Sequence, residues 1–202
     1  MEGTQQGEIV QLMRDVLGEG YAHLRVHRVV IEEELEQTTS VTCEVTDEAT
    51  GENSIIAGKG VGVIDAFFKG FVDRFANDYP SLKTIRLTSF QVGAKLETKS
   101  DYAGTDSAGE VSVGIMNSAG KFFRFTHSSR SVIASSIITI LLGLEYFVNS
   151  ERAYVTLHQA FKDAKARGRD DLVQHYTSQM AILVRNTSYS EAIERTQNDT
   201  EV

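Results

Sequence analysis

Between Glu8 and Leu17 the apolar residues Ile9, Leu12, Met13 and Val16 recur at three- and four-residue spacing and stop at Gly18. That pattern predicts a short leading helix with a glycine cap at its C-terminus. From His23 the period changes to two. Leu24, Val26 and Val30 stand among charged neighbours, and Val41, Cys43 and Val45 alternate with Thr42, Glu44 and Thr46, which predicts two half-buried strands. A turn-rich stretch from Asp47 to Asn53, containing Gly51, leads to a brief third strand, Ser54 to Ala57. Gly58-Lys59-Gly60-Val61-Gly62 then opens a helix from Val63 to Asn77, closed by Tyr79-Pro80.

The same order then begins again. Thr84 to Leu96 is a long strand, Glu110 to Met116 alternates Val111, Val113 and Ile115, Ser118-Ala119-Gly120 turns, and Lys121 to Thr126 is a third strand. Ser131 to Val148 is a second helix. Gly51 and Gly120 are 69 residues apart, and Ile64 and Ile133, Phe71 and Ile140, and Phe75 and Leu144 keep that offset. A register held from turn to helix marks an internal duplication. The predicted fold class is α+β: a two-layer sandwich of two pseudo-symmetric βββα units, residues 21–80 and 83–149. A leading helix within 1–20 precedes them. A helical extension, 150–202, follows as a hairpin of Glu151 to Arg167 and Asp170 to Arg185 about Gly168, with Asp170 or Asp171 as cap and a polar tail from Thr187.

The second helix is apolar on nearly all sides and carries one acid, Glu145, near its end. Its apolar run, Val132 to Val148, falls short of the roughly 20 residues that cross a bilayer. A helix of this kind needs cover on more than one face, and a partner subunit is the expected cover.

Charge narrows the function classes. The 202 residues carry a net charge of -8, and the pI is about 5.2. An acidic chain lacks the basic face that nucleic-acid binding requires. The N-terminus has no secretory pattern and Cys43 is the single cysteine, so no internal disulfide is expected and the expected location is cytoplasmic. Catalytic groups are sparse. His23 and His27, placed on a strand, would stand about 13 Å apart, too far to share a metal ion. Cys43 sits on an alternating strand face as a small core residue, and Phe67, Phe68, Phe71 and Phe75 follow core spacing on their helix. No nucleophile has a base at motif spacing, so the expectation is a non-enzyme without cofactor or metal.

Two corners remain as candidate chemistry. Gly58 to Gly62, between strand and helix, does not fit a dinucleotide fingerprint, because its third glycine is displaced and the flanking strands read as antiparallel. Glycines at a helix N-terminus still let a carboxylate or phosphate approach free N–H groups, although a tight turn without ligand explains them equally well. The equivalent stretch of the second unit is His127-Ser128-Ser129-Arg130-Ser131, rich in donors and caps. Asp65 lies in the first turn of its helix, where the helix dipole favours a carboxylate whatever the function. Gly104-Thr105-Asp106-Ser107-Ala108 forms a polar loop between strands.

Gly58-Lys59-Gly60, Val63-Ile64-Asp65-Ala66, Tyr79 to Leu87, Gly104-Thr105-Asp106-Ser107-Ala108 and Ser129-Arg130-Ser131-Val132-Ile133-Ala134-Ser135-Ser136 together resemble the C-terminal regulatory domain of 2-isopropylmalate and citramalate synthases. The citramalate branch is the nearer, and the likeness covers about Val26 to Asn149. It implies two βββα units, a homodimer, and a branched-chain amino acid bound near the dimer interface as feedback inhibitor. The synthase reaction is not implied, because the metal-dependent barrel that performs it needs about 250 residues and a His-x-His pair that this sequence lacks. Val61-Gly62 replaces the proline common after the Gly-x-Gly, and the helical tail is unlike the family.

The resemblance therefore implies a regulatory domain in which the carboxylate of leucine or isoleucine meets N–H groups at Gly60, Val61, Gly62 and Val63 or at Ser129 to Ser131. Asp106 or Asp65 would face the ammonium, and Val61, Val63, Ile64 and Phe67 would receive the side chain. The alternative is a dimerisation scaffold with no ligand, whose added helices dock a separate synthase catalytic subunit.

Overall fold

The computed structural model describes residues 2–34, 36–95 and 108–186. Helix α1 (Glu2–Leu17) leads into β1 (Leu24–Glu33), β2 (Thr39–Asp47), β3 (Asn53–Gly60) and α2 (Val63–Phe75). A 3-10 turn, Pro80–Thr84, connects to β4 (Arg86–Lys95), β5 (Ala108–Met116), β6 (Phe122–Ser129), α3 (Val132–Ala166) and α4 (Asp170–Asn186). Each unit is a three-stranded antiparallel sheet with the second strand central, β1-β2-β3 and β4-β5-β6, and one helix on its face.

The duplication extends to irregularities. Gly51 and Gly120 both take positive φ, 71° and 76°, in the β2–β3 and β5–β6 hairpins, a conformation open to glycine at little cost. The edge strands β1 and β4 each bulge once, at His27 and at Thr88. The sites match, since Val29 and Phe90, just past each bulge, pair with Cys43 and Val113 at the centres of β2 and β5. Before the turns the match slips by one residue from the 69 offset: Cys43 faces Ile56 while Val113 faces Phe125, so the first hairpin is one residue longer.

Inside each unit the core follows from strand alternation. Val41, Cys43, Val45 and Ile56 meet Ala66, Phe67 and Phe71 of α2, all buried. Val111, Val113, Ile115, Phe123 and Phe125 meet Ile140, Leu144 and Phe147 of α3. Burying one such phenylalanine is worth about 1.5–3 kcal/mol. Gly58 and Gly70 make the α2 contact close, because a Cβ on Gly58 would lie 2.7 Å from the Gly70 nitrogen.

Two expectations need correction. The second helix does not end at Val148 to restart at Glu151; α3 runs unbroken for 35 residues. Nothing at the predicted junction competes for the helix backbone, because the Asn149 side chain is drawn away to the Ala22 peptide, whose N–H it receives at 2.7 Å and whose carbonyl it bonds at 2.9 Å. The hairpin is real, but its first arm is the end of α3, turned at Gly168 with φ 64°. The cover of α3 is also largely internal. Besides its own sheet, α1 and α4 pack on it, and 72% of its most apolar window is buried within the chain. Although α3 is long enough to cross a membrane, it is a core helix of this fold.

Candidate functional site

The first corner is built by the entry to α2. Gly62, extended at φ −176°, is the N-cap residue and supplies no side chain, and its carbonyl accepts the Ala66 N–H at 2.9 Å. Asp65 supplies the cap from inside the helix. Its Oδ2 accepts the Val61 N–H at 3.1 Å and the Lys69 ammonium at 2.7 Å. Partial burial works to raise this carboxyl, but the hydrogen bonds from Lys69 and Val61 outweigh it and hold it below the usual carboxylate range. The carboxylate thus stands where an external anion would sit, and its charge is met by Lys69. Gly60 is buried, with no room for a Cβ against Asp65 and Ala66, whereas Val61 is 87% exposed. Val63 and Ile64 are half-buried, and Phe67 lies in the core beneath the corner.

The second corner is capped conventionally. Ser131 Oγ accepts the Ala134 N–H at 3.2 Å at the start of α3. Ser129 donates to the Ser131 carbonyl at 2.9 Å and pairs with the Ser135 hydroxyl at 2.8 Å, while Ser135 reaches the Gly109 carbonyl. The serines there satisfy the local backbone. Asp106 lies outside the described residues. The structure therefore gathers Gly60 to Asp65 into one corner and Ser129 with Ser131 into the other.

Among the described residues, two open spaces lie elsewhere, on either side of Glu145, the lone acid of the apolar run in α3. One is a groove of about 610 Å³ between β1 and α3. Val26, Val29, Ala134, Ile137, Ile138, Leu141 and Leu142 form its apolar walls, and His23, Arg25, Glu48 and Glu145 its charged end. The other is a smaller cavity of about 150 Å³ between the β2–β3 hairpin, the C-terminal end of α2 and the middle of α3. Val45, Phe71, Phe75 and Val148 line it with Asp47, Tyr79, Glu145 and Arg152.

Glu145 belongs to both. It is 5% exposed, and its Oε1 accepts the Leu24 N–H at 2.6 Å, with His23 Nδ1 3.6 Å away. Burial pushes its carboxyl up to about 7 against the opposing pull of the Leu24 N–H and His23, and Asp47 adds to the rise. One helical turn on, Asn149 holds the Ala22 peptide, so two side chains of α3 fasten the chain just before β1 and thereby join the units. The sequence signal for both was a polar residue in an otherwise apolar helix, a position where a partner is required.

No curated protein matches the chain. Residues 4–148, which span α1, both three-stranded sheets, α2 and the first half of α3, match the family model described as the LeuA allosteric (dimerisation) domain. The chain belongs to the LeuA allosteric (dimerisation) domain family.

Proposed function

We propose that this protein is a non-catalytic cytoplasmic regulatory domain that homodimerises through the groove between β1 and α3 and responds to a branched-chain amino acid of the leucine or isoleucine type. The observation that carries the reading is the groove itself. Val26 and Val29 on the strand and Ile138 and Leu142 on the helix are only partly covered within one chain. Phe90 and Val92 on β4, on the face that bears α3, are 42% and 51% exposed. A second copy laid against these surfaces removes apolar area from water, the main driving force of association. For the effector to use the α2 corner, its carboxylate must displace Asp65 from the Val61 N–H, freeing Asp65 and Lys69 to change partners. Binding would then be linked to the entry of α2.

Sedimentation of the intact chain, with and without leucine or isoleucine, tests this. The wild type should sediment at twice the 22.3 kDa chain mass, Leu142→Glu should sediment as monomer, and the amino acid should shift the equilibrium. A wild type that remains monomeric at high micromolar concentration refutes the dimer, and an equilibrium indifferent to both amino acids refutes the effector.

One observation favours a second reading. Both helix N-termini are already satisfied by Asp65 and Ser131, as expected of a scaffold without a ligand. In that reading the α3–α4 hairpin docks a separate synthase catalytic subunit, and the amino acid has no effect while the dimer persists.

A further inference from the structure

We infer that the cavity at the C-terminal end of α2 is a binding site for a small zwitterion, an amino acid with an apolar side chain, whose ammonium is received by Glu145 and whose carboxylate is received by Arg152. The site is separate from the glycine corner. That corner is at the opposite end of α2, about 18 Å away along a 13-residue helix.

Three observations carry the inference. First, the cavity is polarised. Glu145 and Arg152 lie seven residues apart on α3, two turns along one face, and both line the space with Val148 between them. Their Cα atoms are about 10 Å apart along the axis, and an arginine side chain on a helix leans back toward the N-terminal turn, which brings the guanidinium toward the acid. Second, the charges are not used up by each other. Arg152 makes no ion pair among the described residues, whereas Arg74, the other cation at the cavity, is 3.5 Å from Glu52 and 3.9 Å from Asp78 at the rim. Glu145 spends Oε1 on the Leu24 N–H. Third, the mixed lining includes an apolar set, Val45, Phe71, Phe75 and Val148, that offers a side-chain seat.

A simple anion would meet Asp47 and Glu145 at one end, and a simple amine would meet Arg152 at the other; a zwitterion satisfies both. Tyr79 supports the assignment, since its hydroxyl, raised by burial and lowered in part by Arg152, is a neutral donor at the cationic end. The titratable and charged groups around Glu145 are Tyr21 and His23 before β1, Asp47 on β2, Glu48 in the following turn and Arg152 on its own helix. Ammonium binding requires the ionised form of Glu145, so affinity should rise with pH through neutrality.

The test is calorimetry on the intact chain with L-leucine, L-isoleucine, L-valine and L-alanine, alongside isoamylamine and isocaproate, which each keep one pole. The expected result is binding of at least one amino acid, with either single-pole analogue about tenfold weaker or worse. Glu145→Gln, which keeps an acceptor for the Leu24 N–H, and Arg152→Gln, a change at a half-exposed position, should each weaken binding about tenfold or more. Arg28→Gln, at an exposed position that lines neither cavity, should leave it unchanged, and Asp65→Asn reads the glycine corner. Unaltered affinity in Glu145→Gln and Arg152→Gln, or loss in Asp65→Asn alone, overturns this site while leaving an effector at the corner standing. Absence of heat from every amino acid overturns both.

Discussion

Glu145 makes the stability of this fold depend on pH in a direction opposite to that of an ordinary surface carboxylate. Its proton is held more tightly in the folded chain, because burial raises the carboxyl from its ordinary value of 4.5 to about 7. The stabilising contribution is therefore complete below about 4.5 and is lost as pH rises through 7. That difference corresponds to roughly 3 kcal/mol. Replacing Glu145 with Gln retains the Leu24 hydrogen bond and removes the titration. The variant should match the wild type near pH 5 and exceed it by up to about 3 kcal/mol at pH 8. For a chain of this size that is a rise in Tm of about 6–12 °C. Thermal unfolding of both proteins at half-unit steps from pH 5 to 8 measures the difference, and the subtraction removes the groups remote from Glu145 that are common to both. Parallel curves, or a variant that loses ground as pH rises, would refute the burial argument.

Gly58→Ala should cost about 1–3 kcal/mol or more, since the new methyl group meets the Ala66 carbonyl and the Gly70 backbone, whereas Gly93→Ala, with open space around it, should stay within about 0.5 kcal/mol; urea unfolding of both compares them. Cys43 is fully buried, and burial pushes its thiol up to about 11, so at pH 8 it should react with a thiol reagent on the order of a hundredfold more slowly than a free cysteine, and at the ordinary rate in denaturant. A fast native reaction would place Cys43 at the surface.

The repeated unit was legible because its signals are local. Glycines at 51 and 120, period-two strands and a helix entry at a constant offset need no knowledge of tertiary contacts. The length of α3 was not legible, since Asn149 and Ser150 read as a helix stop by propensity, and only the approach of the Ala22 peptide, 127 positions away in sequence, shows why they continue it. The bulges at His27 and Thr88 were hidden for a similar reason: an extra residue in a strand is defined by its partner strand. At the corner, the residues were found but their mutual occupation was not. Asp65 was weighed as a group for an ammonium, and its nearest cation is its own Lys69 at i+4.

An α-helix of 35 residues is about 52 Å long, and a stiff rod of that length magnifies rotation at one end into displacement at the other. A tilt of five degrees about the start of α3, where it leaves β6, carries its last turn roughly 4–5 Å sideways, and α4 travels with it. Whatever reorients the second sheet is thereby delivered, as a mechanical stroke, to the far tip of the molecule.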